Sequence, residues 1–281
     1  MGVTERAEGT DGSLPLALVD THCHLDAEQF AGESLAAVLE RAATAGVRRA
    51  VTIGIDLAGS RRAVALAEAH PALWATVGVD PNDLDGYGPQ TLADLRQTSR
   101  SERVVAIGEI GLDYHWLRSP PEVQLAAFRE QLALARERSL PVVIHSRDAH
   151  DDTLSVLAEW SAADPAPGRP RGVMHCFSGD LAMARAVTDM GFLVSLAGNV
   201  TYPGARELQR VAAQLDDSAL VLETDAPYLA PEGRRGSRNE PANVRAIAEH
   251  VAGLRTSSLA DVARFTTANA ARLFGWGPWP A

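Results

Sequence analysis

The sequence contains no lysine. All 26 basic residues are arginine, set against 36 acidic ones, for a formal net charge of −10. That absence excludes Schiff-base aldolase and pyridoxal chemistry and the GK[ST] phosphate loop, each of which needs a lysine amine. It also excludes a carbamylated lysine bridging two metals. The chain is rich in Ala and Gly, as GC-rich coding would make it, and coding bias accounts for the missing lysine. Cysteine is scarce as well: Cys23 and Cys176 are the only two of 281 residues, too few for a disulfide scaffold, and a reducing cytoplasmic setting is expected. No apolar run approaches about 18 residues, so no membrane span is expected. The deficit of positive charge argues against a broad surface for long duplex DNA, though not against nucleic acid handled at one local cationic site.

A hydrophobic content of 46% with 22% charged residues is ordinary for a globular protein with a substantial core. Residues 1–16 lack apolar periodicity and read as a lead-in, 17–275 as one domain, and 276–281 as a tail. Eight short apolar runs, nearly continuous in Val, Ile and Leu, read as strands buried on both faces. They are Leu16–His24, Val47–Ile55, Leu73–Val79, Val104–Leu112, Pro141–Ser146, Gly172–Phe177, Phe192–Ala197 and Leu220–Asp225. Helical patterns alternate with them. One follows Pro120–Pro121, and a last one spans roughly Ser258 to Phe274, stopping at Gly275. Eight such units favour an α/β fold of the (β/α)8 TIM-barrel class over an open doubly wound sheet, whose dinucleotide-binding form would carry a G-x-G-x-x-G after the first strand. The Pro/Gly-rich stretch 164–172 reads as a loop before the sixth strand.

Metal-capable residues fall at the ends of these runs. His22 and His24 share one side of the first strand, since i and i+2 point alike, and Cys23 points away. Glu109, His145, His175 and Asp225 close the fourth, fifth, sixth and eighth runs. A barrel gathers strand C-termini at its catalytic mouth. Any one of these histidines alone could be a packed core residue. Six at equivalent positions would leave imidazoles and carboxylates competing for too few partners, which two divalent cations would resolve. The expected arrangement is His22, His24 and Asp225 on one ion, His145 and His175 on the other, and Glu109 bridging in the place a modified lysine often takes. Two carboxylates against two such ions leave about +2, a charge that invites an anionic substrate. Asp20 and Glu223 lie two residues before ligands and are candidates for orienting their imidazoles from behind, or for plain structural hydrogen bonds. His70, His150 and His250 lack evident partners and read as surface residues.

Longer motifs around these residues resemble the TatD metal-dependent hydrolases. They are Asp-Thr-His-Cys-His-Leu-Asp (20–26), Gly-Glu-Ile-Gly-Leu-Asp-Tyr (108–114), His-Ser-Arg-Asp-Ala (145–149), His-Cys-Phe-Ser-Gly (175–179), Glu-Thr-Asp-Ala-Pro-Tyr-Leu (223–229) and Arg-Asn-Glu-Pro (238–241). The likeness covers nearly the whole chain. It implies an amidohydrolase-type barrel, a divalent-metal site and hydrolysis of phosphodiester bonds, with DNA as the substrate partner, as single strands or ends. Family members include 3′→5′ exonucleases on single strands. The six ligands proposed above fall on the family's metal positions.

The chemistry expected is attack by a metal-bound hydroxide on phosphorus, with Asp225 as proton acceptor and Glu109 holding both ions. Mg²⁺, Mn²⁺ and Zn²⁺ all suit a mixed His/carboxylate set. Arg147 is a candidate clamp for phosphate oxygens or a partner in a loop salt bridge. Arg238, with Arg234 and Arg235, forms a local basic cluster suited to a nucleic-acid backbone or simply solvated. Tyr114, with His115 and Trp116, could stack a base or pack against a helix. The same ligands would equally serve a lactone, an amide or an aminoacyl-tRNA ester, and a barrel that had lost activity would be a scaffold. No obligate protein partner is evident. One position departs from the resemblance: the family commonly reads Gly-Val-His-Pro after strand three, and this chain has Asp80 between Val79 and Pro81. A carboxylate there would repel a phosphate that an imidazole would hold. Asp80→His is therefore expected to raise phosphodiesterase activity, and an unchanged or lower rate would count against that view.

Overall fold

The computed structural model describes residues 16–163 and 168–277. The lead-in up to residue 15, loop residues 164–167 and tail residues 278–281 lie outside the described residues. Strands β1 (Leu18–Cys23), β2 (Val47–Thr52), β3 (Leu73–Val77), β4 (Val104–Asp113), β5 (Val142–Arg147), β6 (Gly172–Met174), β7 (Phe192–Leu196) and β8 (Leu220–Leu222) pair in parallel in chain order. Between and after them run helices α1 (Leu35–Thr44), α2 (Leu57–Ala69), α3 (Pro89–Thr98), α4 (Pro121–Arg138), α5 (His150–Ala162), α6 (Leu181–Asp189), α7 (Arg206–Gln214), α8 (Val244–Arg255) and α9 (Leu259–Phe274). The sheet closes between its first and last members. Thr21 Oγ1 donates to Leu222 O at 3.1 Å, and a parallel bridge joins Cys23 to Ala226 just past β8. This is the (β/α)8 barrel expected from the alternation.

The period of two along each strand sorts side chains into layers. Val19, Val105, Val143, Val173, Leu193 and Val221 form an aliphatic layer inside the barrel, sealed by Leu273 and Phe274 of α9. Ser258 caps that helix by accepting from Asp261 N, and Gly275 ends it in the left-handed region. Residues one place along, such as Ile144, Met174 and Leu222, face the helices instead. Thr21 and Ser195 meet inside at 3.4 Å between their hydroxyl oxygens. Charged residues complete the layer nearest the strand C-termini.

Several boundaries differ from expectation. β6 and β8 end at Met174 and Leu222, so His175, Glu223 and Asp225 sit just past their strands, and Asp225 has a left-handed φ of 54°. β4 continues beyond Glu109 to Asp113, because its pairing with β5 shifts register between Ile107 and Ile110 and then resumes. Trp276 in the expected tail is packed, its ring 5.5 Å from Trp74 and 4.8 Å from the Arg49 guanidinium.

The resumed register brings Gly111 opposite His145. Gly111 has a φ of +146°, and a Cβ there would lie 2.0 Å from the His145 carbonyl oxygen. Only glycine lets the two strands approach this closely. Gly111→Ala is expected to cost about 3 kcal/mol by forcing β4 from β5; an unchanged urea midpoint would contradict this account.

Candidate metal centre

The four histidines and two carboxylates converge on the mouth from five different strands, and they do so as two groups. In the first, His22 Nε2 and His24 Nε2 lie 3.2 Å apart, and they lie 3.7 and 3.3 Å from Asp225 Oδ1. In the second, His145 Nδ1 and His175 Nε2 are also 3.2 Å apart, at 2.9 and 2.7 Å from Glu109 Oε1. The other oxygen of Glu109, Oε2, faces the first group, 3.4 Å from His22 Nε2 and 4.0 Å from His24 Nε2. The rings of His22 and His175 stack at 4.0 Å and join the groups. Candidate ligand atoms of His22, His24 and Asp225 lie within 4.8 Å of one another, as do those of Glu109, His145 and His175.

The chemistry of this donor set fits divalent cations. Two nitrogen–nitrogen contacts near 3 Å, each facing a carboxylate, waste hydrogen-bonding capacity among neutral groups but present converging lone pairs to a cation. A third group, His22, His175 and Glu223, lies deeper. There His22 Nδ1, His175 Nδ1 and Glu223 Oε2 are buried without a hydrogen-bond partner.

Electrostatics within the cluster show how strongly it wants positive charge. Burial opposes the ionised Glu109 carboxyl, but His175, His145 and His22 outweigh burial and hold it well below the usual range. Burial likewise opposes protonated His145, yet hydrogen bonds to Asp113 and Glu109 push it up to about 10. His175 is raised by Glu109 against burial in the same way, and Asp225 is held low against burial by His24 and His22. His24, His145 and His175 are all raised while burial and His175 lower His22, so a cation binding here must displace protons from the raised imidazoles.

The residues behind the cluster divide between the two readings open to them, an orienting carboxylate and a structural hydrogen bond. Glu223 Oε1 lies 3.6 Å from His175 Nδ1 and accepts from Cys176 N at 2.5 Å, as an orienting carboxylate would. Asp20 does not reach an imidazole. Its Oδ1 accepts from Thr224 N at 2.8 Å and from His22 N at 3.3 Å, and its Oδ2 accepts from Thr224 Oγ1. The cause is a register irregularity in β1 between Asp20 and Cys23, which breaks the alternation that would stack Asp20 beneath His22.

Asp113 was not singled out from sequence, yet its Oδ2 lies 3.1 Å from His145 Nε2. It sits four residues past Glu109 on β4, on the same face, which is the signal that could have found it. Asn82 Nδ2 and the backbone N–H groups of His115 and Trp116 also donate to its carboxylate. Asn239 was missed as well. Fully buried, it donates to Thr224 O and Tyr228 O at 2.8 and 2.6 Å and so brackets the loop that carries Asp225.

At the rim, Arg147 is exposed, its guanidinium 5.6 Å from the Trp116 ring. Arg238 is committed elsewhere. It donates to Glu33 Oε2 at 2.8 Å and to Gln29 O at 3.2 Å, and it lies over the Phe30 ring. Arg234 donates to Asn243, and Arg235 lies over Tyr202. Tyr114 is half-buried against the core and its hydroxyl donates to Asp152 at 2.7 Å, so its ring is a packing element and not an open stacking face. His150 has a partner after all, its Nδ1 lying 2.9 Å from Ser146 Oγ, and His70 and His250 are half-buried. Asp80 is buried beside the centre, its Oδ1 accepting from Asn82 N, and burial together with Glu109 pushes it up to about 7. A carboxyl near 7 is partly protonated at neutral pH, which eases the repulsion toward phosphate expected from sequence.

Comparison with known proteins agrees with this geometry. The chain is 42% identical over 257 residues to an uncharacterized metal-dependent hydrolase, YabD, of Bacillus subtilis, covering 92% of this chain and 98% of the relative. It is 36% identical over 263 residues to the 3′-5′ ssDNA/RNA exonuclease TatD of Erwinia tasmaniensis, covering 92% and 99%. The crystal structure of YJJV, a TatD homologue from Escherichia coli, superposes with a TM-score of 0.85 at 34% identity, covering 92% and 98%. The family model for TatD-related DNases matches residues 19–275, and with these relatives it places the chain in the TatD-related DNase family of metal-dependent hydrolases.

Proposed function

We propose that this protein is a hydrolase of phosphodiester bonds in DNA that carries two divalent cations, Mg²⁺, Mn²⁺ or Zn²⁺. His22, His24 and Asp225 would hold one ion and His145 and His175 the other, with Glu109 available to both. The observation that carries this reading is that the two oxygens of Glu109 face separate imidazole groups. Divalent cations held there would acidify water and offset charge developing on the phosphate. The exonuclease name of the Erwinia relative supports a single strand attacked from its 3′ end as the substrate.

The chain's own residues supply the rest. Asp225, held ionised by His24 and His22, would accept the proton of the attacking water. Asp113 fixes the far nitrogen of His145 and so aims the near one, and the Glu223 carboxylate stands 3.6 Å behind the far nitrogen of His175. Arg147 presents a planar fork to the phosphate oxygens, and Arg238 falls outside the substrate set because Glu33 holds it. Two free cysteines and no helix among the described residues long and apolar enough to cross a membrane accord with a cytoplasmic enzyme.

The deciding experiment joins metal analysis to digestion of end-labelled single-stranded DNA. About two ions per chain and 3′ shortening are expected, both lost on EDTA treatment. Glu109→Ala should abolish digestion, and Asp113→Asn should weaken metal affinity about 10- to 100-fold. Protein without metal would sink the two-ion centre, and digestion untouched by Glu109→Ala would reveal a contaminant. Metal-loaded protein silent on DNA would turn the reading to a lactone, amide or aminoacyl-tRNA ester.

Asp80 generates a separate pH prediction. Its pKa is raised from an ordinary 3.8 to about 7 in the folded protein, which therefore holds the proton more tightly than the unfolded chain. That contribution to stability is complete below about pH 4 and is lost as pH rises through about 7. Asp80→Asn should therefore gain on the wild type between about pH 4 and pH 7 in urea denaturation of EDTA-treated protein. Parallel curves for the two would show that Asp80 titrates normally.

A further inference from the structure

Few large apolar side chains are exposed among the described residues, and two of them are aromatic: Trp116, 59% exposed, and Tyr228, 52% exposed. Both lie on loops that leave strand C-termini, Trp116 after β4 and Tyr228 after β8. In an eight-stranded barrel with strands in chain order these loops stand on opposite sides of the mouth.

Each aromatic is tied to a different half of the metal centre. The Tyr228 ring meets the His24 ring at 6.0 Å, against the group of His22, His24 and Asp225. Trp116 N donates to Asp113 Oδ1, and the other oxygen of that carboxylate faces His145 in the second group. The backbones are fixed while the rings are not buried. Tyr228 N donates to Asp225 O at 2.8 Å and its carbonyl accepts from Asn239. Folding gains little from leaving a tryptophan and a tyrosine open on well-anchored backbone. A ligand that stacks on them gains much, because the backbone is already ordered and each aromatic side chain has only two torsions to fix. The Arg147 guanidinium lies over one face of the Trp116 ring, 5.6 Å from its centre, which leaves the other face for a base and adds the one chemistry a ring lacks, a charge for phosphate.

We propose that Trp116 and Tyr228 are stacking platforms for the nucleobases on either side of the bond cleaved, with Arg147 on the phosphate next to the base on Trp116. This rests on the reading of the protein as a nuclease and adds its selectivity. Bases already stacked in a duplex cannot use the platforms, so the enzyme takes single strands. Every base has a π face, so it takes them with little regard to sequence.

The test compares wild type, Trp116→Ala, Trp116→Phe and Tyr228→Ala in the Mn²⁺-loaded enzyme. The substrates are a short single-stranded oligothymidylate and the same strand with tetrahydrofuran abasic residues at its 3′ end. Either alanine variant should raise KM on the normal strand about tenfold with a smaller change in kcat, and Trp116→Phe should recover most of it. The advantage of the normal over the abasic strand should shrink in the alanine variants. Loss of equal size on both strands would assign the residues a structural role and overturn the platforms, as would unchanged KM in both variants. A wild type that digests neither strand would overturn the nuclease reading together with the platforms, whereas digestion with indifferent variants would overturn the platforms alone.

Discussion

Everything at the mouth of this barrel is arranged around one buried carboxylate. Glu109 is 4% exposed, and a lone ionised carboxylate at that depth would shed its charge by taking up a proton. It stays ionised because three imidazole nitrogens lie within 3.4 Å of its two oxygens. That geometry demands a particular backbone. The register break in β4 turns Glu109 inward, and the close approach of Gly111 to His145 keeps β4 and β5 near enough for Oε1 to meet His145. Fold and site are therefore coupled: the strand irregularity serves the carboxylate.

The same demand sets the charge state of the neighbours. Asp225 and Asp113 are ionised because histidines face them closely, while Asp20 and Asp80 accept no hydrogen bond from an imidazole and burial pushes them to about 8 and about 7, in Asp80 against the opposing pull of His145. These carboxyls thus divide into those that imidazoles keep charged and those that burial makes easier to protonate. This division sharpens the meaning of Asp80. It is a carboxyl tuned toward neutrality, and its effect on a phosphate depends on pH more than an ordinary aspartate's would.

Much of this was legible in the chain. Eight apolar runs and the parity of residues within them were enough to expect the barrel and to bring His22, His24, Glu109, His145, His175 and Asp225 to one end. Parity failed where strands are irregular. Asp20 was assigned an inward face that the β1 register shift removes, and Asp113 was overlooked because β4 was ended one residue short. Long-range pairing was harder still. Nothing local marks Arg238 as the partner of Glu33, 205 residues away, or Asn239 as the clasp on Asp225's loop. Tyr114 and Trp116 have the same residue class and neighbourhood. Only tertiary packing separates the tethered ring from the open one.

The absence of lysine takes on a spatial meaning at the rim. Arginine must provide every fixed positive charge; Arg234 and Arg238 are hydrogen-bonded to Asn243 and Glu33, while Arg235 and Arg147 lie over the Tyr202 and Trp116 rings, and of these two Arg147 continues the strand of His145. Arg147 is left to meet phosphate, in a protein whose overall charge of −10 repels polyanions at a distance. Long-range attraction therefore cannot be what holds a nucleic acid. Affinity has to come from contacts that act only at short range: a charged fork, a cationic centre and open aromatic faces. Such contacts reward a flexible strand end that can thread into the mouth, and they give little to a stiff duplex that cannot bring its bases there.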